Sequence, residues 1–316
     1  MSWEFAVYGA VNVAFVALVS PLFMGVIRKI KALVQGRRGP PLLQGYYNLA
    51  KLMKKETVFS SNSSVIMEIA PYISISALFV AALLVPVIMI PEPAYGMGGI
   101  ILFLYMLALA KFFTALAGLD AGSTFGGMGS SREMTISAII EPIIVVVFAA
   151  LAFALNTTNI YAMFAATAGL GVLSANVSLL PLVIALFIIL ITETSRVPVD
   201  NPETHLELTM VHEAMILEQG GRNLALMEVS HAVKQTLLMA FLINIFFPWG
   251  ISQWPAGGWS HAAAGALAFL AKGVILAAVV GLFESSMAKM RLFRLPTLFM
   301  AAFFLSALTI VMQVFA

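Results

Sequence analysis

The chain has 316 residues, of which 61% are hydrophobic and only 10% are charged, and its formal net charge is +2. Soluble domains are roughly 45–50% apolar and about 25% charged, so a mean hydropathy of +0.99 excludes an ordinary water-soluble enzyme. The absence of cysteine excludes thiolate-ligated iron–sulfur clusters, disulfides and covalent c-type haem within this chain. We predict a single all-α integral membrane domain over residues 1–316.

About eight apolar runs follow one another along the chain, and most can cross a hydrocarbon core of about 30 Å at 1.5 Å per residue. Stretches such as 139–154 are apolar on every side, which favours helices over the alternating strands of a barrel. The N-terminus lacks a basic leader, so we predict a retained first span rather than a cleaved signal peptide. The predicted spans are 5–27, 66–90, 99–119, 134–155, 178–193, 234–252, 261–283 and 297–315.

Lysine and arginine lie in alternate loops. The loops 91–98, 156–177 and 251–260 contain neither residue. The positive-inside rule therefore places both termini outside, and this orientation explains the net charge better than nucleic-acid binding does. The predicted cytoplasmic loops are 28–65, 120–133, 194–233 and 284–296.

The first cytoplasmic loop contains Gly-Arg-Arg-Gly-Pro-Pro at 36–41. Glycine and proline predict a fixed turn, from which Arg37 and Arg38 can clamp an acidic partner. Apolar residues then recur at helical spacing over 46–53, which predicts a helix lying in the membrane interface. Anchoring to anionic lipid and docking of a partner protein are equally compatible with this helix.

The second cytoplasmic loop is rich in glycine over 118–129. No Gly-Lys-Ser/Thr follows, so the segment is not a phosphate-binding loop. We predict a flexible connector.

The third cytoplasmic loop is acidic, which is unusual for a chain that otherwise follows the positive-inside pattern. Asn201-Pro202 predicts a helix start. A solvated acidic loop and a functional acidic surface both remain open. His205 and His212 lie two helical turns apart, not at the His-Glu-x-x-His spacing, so we predict no metal site. The acidic residues of this loop are Asp200, Glu203, Glu207, Glu213, Glu218 and Glu228.

Three ionisable residues fall inside predicted spans: Lys111, Glu141 and Lys272. A charge at the bilayer centre costs at least about 2.5–3.5 kcal/mol, so such residues are candidates for function. Glu141 lies roughly 10 Å and Lys111 roughly 12 Å from the cytoplasmic ends of their spans, and the matching depths predict an ion pair. Lys272 requires a partner in a neighbouring helix or subunit.

Glu193 and Glu284 end the fifth and seventh predicted spans on the cytoplasmic side. Together with Glu141 and the acidic loop they form a possible chain of carboxylates from the surface into the membrane, a pattern typical of proton relays. The alternative is that these residues form ion pairs that only hold helices together.

These motifs resemble the membrane H-type subunit shared by respiratory complex I and the related membrane-bound [NiFe] hydrogenases. Residues 36–40 resemble the first-loop motif of that family, and 198–208 resemble its Pro-Phe-Asp motif with the following glutamate series. Residues 118–123, 131–133 and 141–142 resemble the formate hydrogenlyase and hydrogenase-4 branch.

The resemblance implies eight tilted helices in a prokaryotic cytoplasmic (inner) membrane, beside a hydrophilic redox arm. It implies a membrane-anchor and coupling subunit with no catalytic residue and no cofactor of its own. The [NiFe] centre and iron–sulfur clusters are expected in partner hydrogenase large and small subunits on the cytoplasmic side. Antiporter-like membrane subunits and lipid are the other expected partners.

The resemblance and the charge pattern give two sets of site residues. The expected ion-path residues are Lys111, Glu141, Glu193, Asp200, Glu203, His205, Glu207, Lys272 and Glu284. The expected partner-docking residues are Arg37, Arg38, Glu56, Asp120, Arg132, Glu133 and Arg196.

The chain departs from the family motif at two positions, where Val199 replaces the usual Phe and His205 stands in place of a glutamate. The second change lowers the negative charge and adds a group that titrates near neutral pH. Three alternatives remain: a quinone-reducing complex, with the 46–53 helix at the quinone entrance; a stand-alone transporter, which the lack of an internal repeat disfavours; and a purely structural anchor.

Overall fold

A computed structural model describes residues 3–91, 98–168, 179–201, 210–254 and 258–315. A short parallel pair joins β1 (Met89–Ile90) to β2 (Ser252–Gln253), and a 3₁₀ turn covers Leu292–Arg294. The α-helices in the described residues are α1 (Trp3–Val34), α2 (Gln44–Met53), α3 (Val65–Leu84), α4 (Ile100–Asp120), α5 (Thr124–Ala154), α6 (Ile160–Thr167), α7 (Leu180–Glu193), α8 (His212–Ile216), α9 (Gly221–Phe246), α10 (Gly258–Ser286) and α11 (Leu295–Phe315).

Seven helices in the described part of the chain are long and apolar enough to cross a membrane: α1, α3, α4, α5, α9, α10 and α11. The prediction of an all-α polytopic membrane protein is therefore confirmed. The run predicted over 178–193 corresponds to α7, which has only 14 residues. That length reaches about 21 Å, so α7 is shorter than a complete span.

Helix α9 is the centre of the bundle. Within its most apolar window 89% of the residues are buried, against 22–50% in the other six long helices. Helices α1, α3, α7 and α10 pack directly against α9. Phe241 of α9 contacts Phe103, Phe148 and Phe164, with ring centroids 4.9–5.7 Å apart.

Helix α5 begins at Thr124, so the prediction of a flexible glycine-rich connector is wrong. The Ser123 side chain accepts a hydrogen bond from the Gly126 amide at 3.1 Å and caps the helix. A good cap offsets part of the low helix propensity of glycine. Helix α9 likewise begins earlier than predicted, at Gly221 rather than near 234.

The span predicted over 66–90 ends early, because α3 stops at Leu84. Val85 precedes Pro86, and a residue before proline disfavours the helical conformation. Residues 85–90 continue as a buried extended segment inside the bundle. Its backbone needs hydrogen-bond partners there, because lipid offers none.

Asn12 and Asn244 supply those partners. We call these two asparagines, together with Lys272, which bonds to Asn244, the outer asparagine site. Asn12 Nδ2 donates to the carbonyls of Ala82 (2.7 Å) and Val85 (2.9 Å), and its Oδ1 accepts from the Val87 amide at 3.2 Å. Asn244 Nδ2 donates to the carbonyls of residues 86 and 87, both at 3.1 Å.

Lys272 belongs to α10, and its ammonium group lies at the C-terminal end of α9. Its Nζ donates to Asn244 Oδ1 at 3.2 Å and to the carbonyls of Phe247 and Trp249, both at 2.9 Å. A cation at a helix C-terminus is favoured by the helix dipole. The partner expected for Lys272 is therefore an amide and a helix end within the same chain.

The turn at 36–41 adopts the fixed conformation predicted from its glycines. Gly36 and Gly39 have φ values of +71° and +65°, a region that favours glycine. Arg37 and Arg38 are exposed, and α2 follows at the position of the predicted interfacial helix.

Candidate functional site

Four charged side chains from four helices meet inside the bundle. Glu193, the last residue of α7, accepts from Lys111 of α4 at 2.5 Å and from Lys234 of α9 at 2.6 Å, one on each carboxylate oxygen. Glu141 of α5 lies 3.8 Å from the Lys111 ammonium. We call Lys111, Glu141, Glu193 and Lys234 the lysine–glutamate cluster.

Three members of this cluster are buried. The exposed fractions of the side chains are 7% for Lys111, 3% for Glu193 and 11% for Lys234. Buried ions are tolerated only when each has a close partner, and the shared Glu193 carboxylate gives both lysines one. The predicted contact of Lys111 with Glu141 is present, but the shorter contact of Lys111 is with Glu193.

Glu141 brings the cluster to the side of the bundle. Its side chain is 47% exposed, in a groove whose other walls include Tyr105, Leu109, Phe112 and Met134. An exposed carboxylate among apolar side chains is costly beside lipid. The lysine–glutamate cluster therefore runs from the interior to a lateral surface suited to another protein or to water.

A second buried group lies at the ends of α1, α7 and α10. Arg196 Nη1 donates to Glu284 at 2.8 Å, and Lys31 Nζ lies 3.4 Å from the other oxygen of that carboxylate. Arg196 also donates to Gln235 Oε1 at 2.5 Å and 3.2 Å. Gln235 directly follows Lys234 on α9, so this arginine–glutamate group adjoins the lysine–glutamate cluster.

Asp200 holds together the two ends of the acidic segment. Its Oδ2 accepts from the amides of Val211 and His212, both at 3.1 Å, and its Oδ1 accepts from Lys289 at 2.6 Å and from the Asn201 amide at 2.8 Å. The side chain of Asp200 is buried. This carboxylate therefore fixes the start of α8 and the position of His212.

Two cavities lie beside these groups. The main cavity, of about 240 Å³, is enclosed by α1, α2, α8, α9 and the end of α10. The inner cavity, of about 40 Å³, lies against the lysine–glutamate cluster and Glu133. The main cavity is lined by both polar and apolar residues, including Met24, Ile27, Arg28, Leu49, Arg196, His212, Glu213, Ile216, Leu224, Glu228, His231 and Glu284.

The rings of His212 and His231 are in contact between the two cavities, with centroids 4.5 Å apart. Burial lowers the pKa of His212 below its ordinary value, although the nearby carboxylates of Glu213 and Asp200 act in the opposite direction. This histidine is therefore neutral at physiological pH. Each neutral imidazole has one donor and one acceptor nitrogen.

The structure separates the predicted docking residues into two groups. Arg37, Arg38 and Glu56 are exposed, whereas Glu133 and Arg196 are buried. A partner could reach these last two only if the surrounding helices rearranged.

Two further predicted docking residues have partners within the chain. Asp120 accepts from the amides of Ser64 (2.9 Å) and Met67 (3.0 Å), which caps α3. Arg132 donates to the Met210 carbonyl at 2.8 Å. Of the predicted ion-path residues, Glu203, His205 and Glu207 lie outside the described residues.

Sequence reasoning missed His231, Lys234 and Lys31. A usable signal was the spacing Glu228-x-x-His231-x-x-Lys234, which places three polar side chains along one stripe of a helix. Because α9 was predicted to start only near 234, the first two positions were assigned to a loop.

The fold and its buried charges define a class of protein: a membrane subunit of the complex I type. The family model described as NADH dehydrogenase matches residues 7–315, and the chain belongs to this family. The H-type resemblance stated from the sequence is thereby confirmed.

Relatives within the family are more specific. Formate hydrogenlyase subunit 4 of Escherichia coli K12 is 30% identical over 297 residues, covering 94% of this chain and 94% of that protein. Hydrogenase-4 component C of the same organism is 32% identical over 247 residues, covering 78% of this chain and 77% of that protein. The first of these matches spans nearly the full length of both proteins.

A solved structure has the same fold. A chain of the membrane-bound sulfane sulfur reductase, an archaeal respiratory membrane complex, superposes with a TM-score of 0.82 at 20% identity, covering 98% of this chain and 99% of that one. Relatives of this chain are thus subunits of multi-subunit membrane complexes.

Proposed function

We propose that this chain is the membrane-anchor and coupling subunit of a complex I-like membrane-bound [NiFe] hydrogenase in a prokaryotic cytoplasmic membrane. It docks the iron–sulfur and hydrogenase arm and links the redox chemistry to proton or sodium translocation. The chain makes and breaks no substrate bonds itself. The names of the two Escherichia coli relatives support the hydrogenase branch.

The observation that carries the proposal is a pair of neighbouring buried charged groups, one at each cavity. Glu284 and Arg196 line the main cavity, and Arg196 bonds to Gln235. Lys234, the preceding residue on α9, belongs to the lysine–glutamate cluster, which lines the inner cavity and reaches the lateral surface at Glu141. A purely structural set of ion pairs has no need of a half-exposed end.

Coupling follows from the coordination of Glu193. Its carboxylate is shared by two ammonium groups, so protonation of Glu193 leaves two buried positive charges without a counter-charge. Lys111 then interacts more strongly with Glu141. Charge brought to the cavity side by a reduced partner therefore changes the charge state at the lateral surface, where an antiporter-like subunit would bind.

Docking would use the exposed part of the first loop. Arg37 and Arg38 stand on a turn fixed by two glycines, and the adjacent helix α2 lies against α1 and α9. A partner contact at this turn is therefore close to the main cavity. The iron–sulfur clusters and the [NiFe] centre would belong to the partner subunits.

The first experiment is purification of the tagged chain in mild detergent, followed by identification of its partners and assays for nickel and iron. Iron–sulfur subunits with nickel would support the hydrogenase assignment. Iron–sulfur subunits without nickel would retain the coupling role but require another redox reaction. A chain that purified alone and moved a solute in liposomes would replace the proposal with the transporter alternative.

Quinone reduction is the second candidate, and the main cavity favours it. This cavity combines apolar walls with a few charged groups, as expected for an amphipathic ligand, and α2 forms one side of it. Inhibition by a quinone analogue at a one-to-one ratio with the complex would favour this candidate. Hydrogen evolution unaffected by such analogues would exclude it.

A further inference from the structure

His212 and His231 have a position that no other described residue shares. Among the described residues, only these two histidines line both the main cavity and the inner cavity. The main cavity has Glu213 and Glu228 in its wall. The inner cavity has Glu133 and Glu193. Carboxylates on the two sides are thus separated by a pair of imidazoles.

The two rings come from different elements and are in contact. His212 begins α8 and His231 lies on α9, with centroids 4.5 Å apart and planes inclined by 35°. Glu228 and Lys234 lie three residues before and after His231, so one stripe of α9 runs from the main cavity to the lysine–glutamate cluster.

The position of His212 is set by tight packing as well as by Asp200. A methyl group added at Gly129 of α5 would lie 2.8 Å from Ala214 Cβ and 2.8 Å from the Val211 carbonyl. Helix α8 therefore lies directly on the backbone of α5. Asp200 holds the amide of His212 from the other side.

We propose that the contacting pair of His212 and His231 is the proton-transfer junction between the main cavity and the buried lysine–glutamate cluster. This inference rests on the proposed coupling function and specifies how its interior exchanges protons. The transferred species is a proton alone, and the step involves no oxidant or reductant.

The proton balance is simple. A protonated carboxyl or a water on the main-cavity side gives a proton to one neutral imidazole, which becomes an imidazolium. The proton passes to the second imidazole through a water in one of the cavities that both rings line, because the rings touch without a hydrogen bond between them, and then to a carboxylate in the inner cavity. Both rings are neutral again at the end, the donor has lost one proton and the acceptor has gained one.

The charges around the pair favour transfer over storage. Burial disfavours a long-lived imidazolium at His212, while the carboxylates of Glu213 and Asp200 favour its transient protonation. His231 shares the cavity walls with the cations Arg28, Arg196 and Lys234.

The test uses the intact complex in sealed vesicles, with reduced methyl viologen as electron donor and a pH-sensitive dye to report proton movement per electron. His212→Ala and His231→Ala are expected to lower the rate of proton movement by about 10²-fold, the low end for a positioned proton-transfer group. Viologen oxidation by the complex continues. Added imidazole restores proton movement in the His231→Ala variant, because the vacated space adjoins the main cavity.

Three controls make the outcome decisive. The matched histidine control is His261→Ala, since His261 is exposed at the start of α10. This variant should leave proton movement unchanged. Where an alanine variant fails to assemble, glutamine at the same position keeps most of the side-chain volume but cannot relay a proton. Loss of proton movement that imidazole does not restore would assign the pair a structural role and overturn the proposal.

The third control, Glu193→Gln, distinguishes failure of the histidine junction from failure of the proposed coupling function. If Glu193→Gln stops proton movement while both histidine variants pump normally, the junction is elsewhere and the coupling role stands. If Glu193→Gln itself pumps normally, the proposed coupling function is wrong.

Discussion

The lysine–glutamate cluster and the outer asparagine site both place polar groups in the interior of an apolar bundle, and they satisfy these groups differently. At the outer site the two asparagines and Lys272 bond mainly to backbone carbonyls, whose charge cannot change. In the cluster the partners are ionisable side chains on separate helices. The cluster also adjoins a cavity and reaches the surface at Glu141.

This difference decides which polar groups in the bundle can transmit a change of charge. A group bonded to fixed backbone can stabilise an irregular segment, such as residues 85–90, but cannot transmit a change of charge. A carboxylate shared by two lysines can do so, because its protonation alters every other pair in the cluster. We therefore expect five outcomes from variants at these sites and beside them.

The largest expected effect is that of Glu193→Ala. Lys111 and Lys234 lose their common carboxylate, and breaking a buried ion pair costs about 3–5 kcal/mol. Thermal unfolding of the purified complex in detergent should show this loss. A variant as stable as the wild type would mean that water reaches the cluster freely.

A triple variant sharpens that result. Lys111→Met, Glu193→Leu and Lys234→Met together replace the buried ions by apolar side chains of similar size, an exchange that is often neutral for stability. Stability should largely return, while ion translocation remains lost. Recovery of both properties would contradict a functional role for the cluster.

The next effect is expected from Gly129→Ala, where the new methyl group would press on α8. Overpacking of this kind typically costs about 1–3 kcal/mol, and displacement of α8 moves His212, so coupling should fall together with stability. The matched control is Gly127→Ala, because nothing lies within 4 Å of a Cβ at that position. There the helix should gain up to about 1 kcal/mol.

Asn244→Leu tests the outer asparagine site, where we expect an effect on stability alone. The carbonyls of Pro86 and Val87 lose their donor, and unsatisfied buried polar groups cost about 1–3 kcal/mol. Ions moved per electron should not change in the folded variant. A fully stable Asn244→Leu protein with impaired coupling would show that the outer site is more than structural.

The smallest expected effect is the pH dependence that His212 contributes. In the unfolded chain His212 gains a proton below its ordinary pKa near 6.5, whereas burial lowers the pKa in the folded chain. The unfolded state then binds more protons, so the free energy of unfolding falls as the pH drops from about 7.5 to about 5.5. One proton changes this free energy by at most about 1.4 kcal/mol per pH unit.

His212→Gln should therefore flatten the dependence of chemical unfolding on pH over this interval. His261→Gln is the control and should keep the wild-type slope. An unchanged slope in the His212 variant would indicate that His212 is solvated in the folded state.

Hydrophobic runs predicted the all-α fold because lipid exposure makes long apolar stretches necessary. They did not locate helix ends such as Thr124 and Gly221, where caps and packing extend helices into polar sequence. Lys111 and Glu141 could be predicted to lie together, because they have similar depths from the same end of their predicted spans. The sharing of Glu193 by two lysines could not be predicted, because it depends on how α4, α7 and α9 cross.

The same limit applies to His231. Its sequence spacing from Glu228 and Lys234 is visible once α9 is known to be a continuous helix. Its contact with His212 depends on the position of α8, which Gly129 and Asp200 determine through contacts distant in sequence.

The Asp200 carboxylate has a consequence for divergence within the family. It binds the amides at both ends of the acidic segment, at Asn201 and at Val211 and His212. These hydrogen bonds involve only residues on either side of 202–209, so they do not depend on the side chains within that segment. Substitutions between 202 and 209, including one at His205, are therefore expected to leave the buried network unchanged as long as Asp200 keeps its hydrogen bonds to these amides.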